Sequence, residues 1–131
     1  MKQKSTFKFF LSQLFVSGLV FLVPKLACAQ ELVASDGAFG DLFGESVSVS
    51  GQNGLVGAFW DDDDGPSSGS AHYYSKLDAA GGTVTESEKL NASNATLGDQ
   101  FGVPLSLSGD YALIAARNDD NENGVDGGSV Y

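Results

Sequence analysis

The chain holds a single cysteine, Cys28, and a single histidine, His72. That scarcity excludes a disulfide scaffold, a Cys/His zinc site and a Cys–His catalytic pair within one chain. Positive charge is also scarce: 7 Lys+Arg stand against 17 Asp+Glu in 131 residues, a formal charge of −10. No basic face is on offer to nucleic acid or to an anionic membrane. Proline occurs 3 times and glycine 17 times, so turns are many and glycine makes most of them. No serine sits in a G-x-S-x-G context, and no glycine-rich loop runs into a helix that could cradle phosphate. Hydrophobic residues at 42% are enough for a core and exclude wholesale disorder.

What is present begins with a targeting segment. Lys2, Lys4 and Lys8 open the chain, Phe9 to Val23 form an apolar stretch, and Ala27-Cys28-Ala29 is a small-residue cleavage motif. Residues 1–29 therefore read as a secretory signal cut before Gln30. The apolar run is short for a membrane span of roughly 20 residues. Lys25 stands where a lipoprotein signal wants an apolar residue before Cys28. The signal holds Lys2, Lys4, Lys8, Lys25 and no acid, so residues 30–131 keep 3 positive and 17 negative groups, a net of −14. They also keep no cysteine. An acidic, cysteine-free exported chain suits the periplasm, a cell surface or the medium, with no membrane insertion after cleavage.

Residues 30–131 are an internal repeat. Asp41-Leu42-Phe43-Gly44 aligns with Asp99-Gln100-Phe101-Gly102, an offset of 58 residues. The same offset pairs Ser46-Val47-Ser48-Val49-Ser50-Gly51 with Pro104-Leu105-Ser106-Leu107-Ser108-Gly109, and Leu55-Val56-Gly57-Ala58 with Leu113-Ile114-Ala115-Ala116. Past the acidic loops one residue is inserted, and Gly69-Ser70-Ala71 matches Gly128-Ser129-Val130. Copy one spans about 32–89 and copy two about 90–131, incomplete. Val47 and Val49 alternate with serines, as do Leu105 and Leu107, the period of a strand with one apolar face buried. Gly51–Gly54 and Gly109–Asp110 are turns. Leu55–Phe59, Gly69–Tyr74 and Thr83–Leu90 read as second, third and fourth strands, with no helix in residues 30–131. Four strands per repeat predict an all-β fold: antiparallel four-stranded blades of a β-propeller, about two repeats of it. Gln30-Glu31-Leu32 corresponds to Glu88-Lys89-Leu90, the end of a fourth strand.

Phe43-Gly44 and Phe101-Gly102, each followed by a strand and then by Gly57-Ala58 or Ala115-Ala116, resemble the FG-GAP repeat. This is the repeat of the integrin α-subunit N-terminal β-propeller and of many secreted bacterial proteins. The third position of its Gly-Ala-Pro signature is Phe59 in one copy and Arg117 in the other. The resemblance implies a seven-bladed propeller for adhesion or ligand binding. Fewer than two blades lie here, so further repeats or other chains are needed to close a ring. Integrin-type blades carry a calcium loop between their first two strands, where this chain has only short turns, so that site does not carry over.

Acidic residues gather elsewhere. Asp61, Asp62, Asp63 and Asp64 precede Gly65, and adjacent carboxylates repel unless solvated or bridged by a cation such as Ca²⁺. In copy two, Asp119, Asn121, Asn123 and Gly124 match the opening of a calcium loop, with Asp126 beyond. Val130 holds the place of the bidentate Glu, so it is no EF-hand. These eight oxygen-bearing residues are the metal candidates; the other reading is two solvated acidic loops. Phe59-Trp60, beside the first loop, is either a sugar platform or packing between blades. Arg117 is expected to pair with Asp119 and Asp120. Asn91 and Asn94 head glycosylation sequons. The functional expectation is an exported, non-enzymatic binding module for a protein or carbohydrate ligand at a cell surface, with calcium ordering its loops. The alternatives are a scaffold domain of a longer secreted enzyme and a truncated fragment.

Overall fold

A computed structural model describes residues 29–78 and 81–131. The export-signal reading falls on residues outside this set, apart from Ala29. Among the described residues there are nine strands and no helix. They are β1 (Gln30–Val33), β2 (Ser46–Ser50), β3 (Asn53–Ala58), β4 (Ser70–Tyr74), β5 (Gly82–Thr85), β6 (Glu88–Leu90), β7 (Phe101–Ser108), β8 (Tyr111–Ala116) and β9 (Ser129–Val130). The first copy folds as an antiparallel sheet in the order β2-β3-β4-β6, and the second as β7-β8-β9. These are two blades of a propeller, the second with three strands. No helix among the described residues is long and apolar enough to cross a membrane.

The segment read as one fourth strand, Thr83–Leu90, divides. Only Glu88–Leu90 joins the blade, pairing Ala71 with Leu90 and Tyr73 with Glu88. Thr83–Thr85 lies parallel to β1, with Glu31 opposite Thr83 and Leu32 opposite Val84. The chain changes partner at Glu86, whose carboxylate takes the amide of Ser35 at 2.9 Å and its hydroxyl at 2.5 Å. One residue on, the Ser87 amide turns to Tyr73 O at 2.7 Å. The Tyr74 hydroxyl donates to Val33 O at 2.7 Å and ties the β1–β5 ribbon to the blade.

The core lies between the blades. Leu55 and Ala71 from the first meet Phe101, Ile114 and Ala116 from the second, with Ala92 from the connection. Neither copy buries its inner face alone. Two glycines set the approach. A Cβ on Gly57 would stand 2.1 Å from Gly102 O, and one on Gly69 would stand 2.2 Å from Phe101 O. The Phe-Gly of one repeat thus lies against the Gly-Ala of the repeat before it. The two signature dipeptides are opposite sides of one backbone contact.

The valine stripe faces the other way from its expected orientation. Val47 and Val49 are 66% and 68% exposed, while the serines between them face blade two. Ser46, Ser48 and Ser50 accept the amides of Leu105, Leu107 and Gly109 at 3.2, 3.0 and 2.9 Å. An inner strand leaves every second amide without a ladder partner, and an unpaired amide is costly to bury. A row of hydroxyls at period two supplies the acceptors. Leu105 and Leu107, on the opposite blade, pack partly buried against the core as their alternation predicts.

Candidate functional site

The loops joining β3 to β4 and β8 to β9 carry the acidic runs, and both run beside the connection between the blades. Gly98 N reaches Pro66 O at 2.9 Å and Gln100 N reaches Ser67 O at 3.1 Å. Asn91 Nδ2 donates to Asp64 Oδ2 at 2.5 Å, and Asn94 Nδ2 to Asp119 Oδ1 at 2.9 Å. Both sequon asparagines thus engage the acidic loops. The loops share one end of the two-blade unit.

In the first loop Gly65, at φ 137°, closes the turn where a side chain would be strained. Its four aspartates fan out. Asp61 is buried and accepts Ser70 Oγ at 2.7 Å and the Asp63 amide at 3.0 Å. Asp62 accepts the Ser67 amide at 2.7 Å. Asp63 and Asp36 each accept Lys89 Nζ, at 2.6 and 2.7 Å, and Asp61 lies 2.8 Å from the same nitrogen. One ammonium therefore stands among three carboxylates. Burial alone would lower the Lys89 pKa, but the hydrogen bonds of Asp36, Asp61 and Asp63 outweigh it and hold it above the ordinary lysine range. Burial likewise works to raise Asp61, and Lys89, Ser70 and the Asp63 amide bring it below the ordinary carboxylate range. The Lys89 hydrogen bond lowers Asp36.

His72 is buried behind this group. Ser70 must donate to the Asp61 carboxylate, so it accepts from His72 Nε2 at 3.0 Å. Nδ1 is then the unprotonated nitrogen. Among the described residues it has no hydrogen-bond partner, and it stands 3.8 Å from Glu86 Oε1. Burial depresses the His72 pKa, with Glu86 and Asp36 opposing in part. Phe43 packs edge-on to the imidazole, centroids 5.4 Å apart. Asp36, Asp61 and His72 are the one group among the described residues whose acidic and imidazole ligand atoms converge, within 4.8 Å. Lys89 already places a cation against two of the three.

The second loop repeats the frame with other groups. Asp119, the counterpart of Asp61, is buried and takes Ser129 Oγ and Asn94 Nδ2. Asn94 is the counterpart of Asp36, so a neutral amide bonds directly where copy one needs a lysine between two carboxylates. Tyr131 replaces His72 and donates to Asn94 Oδ1. Asn121 donates to Gly128 O at 2.8 Å and accepts the Asn123 amide at 2.8 Å. Asp120 accepts the Asp126 amide at 2.8 Å. Asp120, Glu122 and Asp126 are exposed, as are Asp62, Asp63 and Asp64 of the first loop. Sequence reasoning missed Asp36, Glu86 and Lys89 because their partners lie 26 to 53 residues away.

Phe59 and Trp60 part company. Phe59 is buried, with the Arg117 guanidinium 5.6 Å above its ring, while Trp60 stays half exposed beside the first loop. Arg117 does not form the expected pairs with Asp119 and Asp120. It turns across the junction, bonding Gln100 Oε1 at 2.6 Å, because a cation gains from a desolvated aromatic face as well as from a solvated carboxylate.

The two blades, their glycine-mediated contact and their loop-borne acidic end define a partial β-propeller, a module of the ligand-binding kind. The FG-GAP repeat family model matches residues 28–74 and 84–131, and the chain belongs to that family. FG-GAP repeats are in general non-catalytic binding modules. Neither the curated proteins nor the solved structures contain a match to the chain.

Proposed function

We propose that the chain is an exported binding module that engages a protein or carbohydrate ligand at a cell surface through the acidic loop end of its blades. The supporting observation is the exposure at one end of Asp62, Asp63 and Asp64 from one loop and Asp120, Glu122 and Asp126 from the other, with Trp60 beside them. A charged rim with an aromatic face suits a polar ligand and speeds its encounter. The test is binding of the chain to arrayed glycans and surface proteins, with and without Asp62, Asp63 and Asp64 changed to Asn. Loss of binding at unchanged melting midpoint supports the reading; identical binding overturns it. Recovery of a product beginning at Gln30 from the medium or periplasm tests export.

Calcium belongs to this proposal and fits the two loops unequally. In the first, Lys89 already neutralises Asp61 and Asp63. In the second, no salt bridge from a lysine to its carboxylates is found among the described residues, and the exposed Asp120 and Asp126 carboxylates stand beside the Asn121 turn. Bound there, the ion would relieve their repulsion and order the loop. A site of about 10⁻³ M, tested at ten times that concentration, adds about 1.4 kcal/mol to stability. The midpoint should then rise by about 5–10 °C over the chelator control, and Asp126→Asn should abolish the rise. Equal midpoints with calcium and with chelator refute it.

A further inference from the structure

His72 carries a lone pair that nothing answers. Its Nε2–H is spent on Ser70 Oγ at 3.0 Å, and Ser70 in turn donates to Asp61 Oδ2 at 2.7 Å, which leaves Nδ1 unprotonated. The residue is fully buried, and among the described residues Nδ1 has no hydrogen-bond partner. A buried acceptor without a donor is costly. What stands opposite raises the cost. Glu86 Oε1 is 3.8 Å from Nδ1, and the Glu86 side chain is only 8% exposed. Ser35 holds that carboxylate in place, its hydroxyl on Oε1 and its amide on Oε2. An oxygen of Asp36 comes within 4.8 Å of an imidazole nitrogen. Lys89 does not relieve the repulsion at Nδ1, because its three donors face Asp36, Asp61 and Asp63. Four carboxylates therefore surround one ammonium and one neutral imidazole.

We infer that His72 Nδ1, Glu86 and Asp36 are ligands of a divalent transition-metal ion of the zinc class. An imidazole nitrogen among carboxylates selects such an ion over calcium and magnesium, which take oxygen sets. The spacing fits. Bonds of about 2.0–2.2 Å put two ligand atoms about 3.4 Å apart at the tetrahedral angle and about 4.2 Å apart in a line. The 3.8 Å between Nδ1 and Glu86 Oε1 lies between these limits. The far nitrogen is already tied as in metal sites, its N–H on a hydroxyl backed by the Asp61 carboxylate, which fixes the tautomer and the ring. Burial keeps the imidazole neutral, the form that ligates. Asp36, 38% exposed, opens the site to solvent and supplies the entry path, while Lys89 keeps Asp61 and Asp63. Copy two holds Tyr131 and Asn94 in the places of His72 and Asp36, neutral groups that satisfy each other. The site therefore belongs to copy one. Its ligands come from three segments: Asp36 follows β1, His72 lies in β4, and Glu86 marks the bend between β5 and β6. The ion clamps the β1–β5 ribbon onto the blade.

His72 is the single histidine of the chain, so nitrogen NMR of the full chain reads its ring without ambiguity. Zinc chloride is the probe. Zinc should move the Nδ1 signal, leave the proton on Nε2 and raise the melting midpoint, and calcium chloride should move neither ring signal. Ser70→Ala, which touches no ligand, should weaken zinc by about 10–100-fold. Glu86→Gln, which keeps an oxygen for Ser35 but loses the anionic ligand, should weaken it by at least as much. His72→Tyr, which installs the side chain that copy two carries here, should abolish the zinc-dependent rise in midpoint. Asp126→Asn should leave the zinc response intact, which separates this site from the calcium reading of the second loop. Ring signals indifferent to zinc overturn the inference. So does zinc affinity unchanged in Glu86→Gln, which would move the ligands to Cys28 or to the acidic loops. Ring signals that follow pH but not zinc put a proton between His72 and Glu86 and overturn it as well.

Discussion

Lys89→Met isolates the electrostatics of the first loop. The substitution keeps the length of the side chain and removes the ammonium from Asp36, Asp61 and Asp63. Only one of the three losses is large. Asp36 and Asp63 are 38% and 61% exposed and can turn to water, so each pair is worth under about 1 kcal/mol. Asp61 is 7% exposed and Lys89 18%, and removing one partner of such a buried pair costs about 3–5 kcal/mol. Ser70 and the Asp63 amide still bond Asp61, which places the expected loss near the low end, about 3 kcal/mol. For a domain of about a hundred residues this lowers the melting midpoint by about 10–20 °C. The double variant Lys89→Met with Asp61→Asn removes the unpaired charge, keeps an acceptor for Ser70, and should recover at least half of the loss.

The pH dependence supplies an independent check. In the unaltered chain Asp36, Asp61 and Glu86 lie below the ordinary carboxylate range. Their contribution is present above about pH 4 and lost as pH falls through their folded values. His72 is held neutral by burial with a depressed pKa, and the charges facing it are Glu86, Asp36, Asp61 and Lys89. Its contribution is lost as pH falls below about 6.5. Both effects weaken the unaltered chain in acid. In Lys89→Met the Asp61 pKa rises, because burial persists while the cation that lowered it is gone, so acid neutralises the carboxylate sooner and the gap to the unaltered chain narrows below about pH 5. Thermal melts followed by circular dichroism from pH 4 to 8 read both. A midpoint at pH 7 within about 2 °C of the unaltered chain, or a gap that widens in acid, refutes the reasoning.

Two further substitutions test the junction. Gly57→Ala sets a methyl against the Gly102 carbonyl, a backbone atom that cannot swing aside. It should cost about 2–3 kcal/mol, read as a lower midpoint in denaturant with the slope unchanged; a loss below about 0.5 kcal/mol would show that the blades slide apart freely. Ser48→Ala strands the Leu107 amide and should cost about 1–2 kcal/mol. Exchange of that amide should quicken while Ile114, on the next strand, stays protected, and equal protection in both proteins would remove the hydroxyl row from the account.

The repeat itself carries much of the fold. An offset of 58 residues, the period-two stripes, the glycine turns and the Phe-Gly pairs place β2, β3, β4, β7 and β8 without coordinates, because strand period and turn chemistry are local properties of the chain. The acidic loops are legible for the same reason, since Asp61 to Asp64 and Asp119 to Asp126 are each contiguous. The tertiary structure decided what depends on a partner. Alternation marks two faces of β2 but not which one is covered, and the serines turned inward because the amides of β7 needed acceptors. Thr83–Leu90 reads as one strand, yet it divides at Glu86 because Ser35, far away in sequence, captures that carboxylate. The cation beside Asp61 proved to be Lys89, brought by the fourth strand of the same blade. Local pattern follows from neighbours a few residues away; charge pairing and face selection follow from distances that only folding sets.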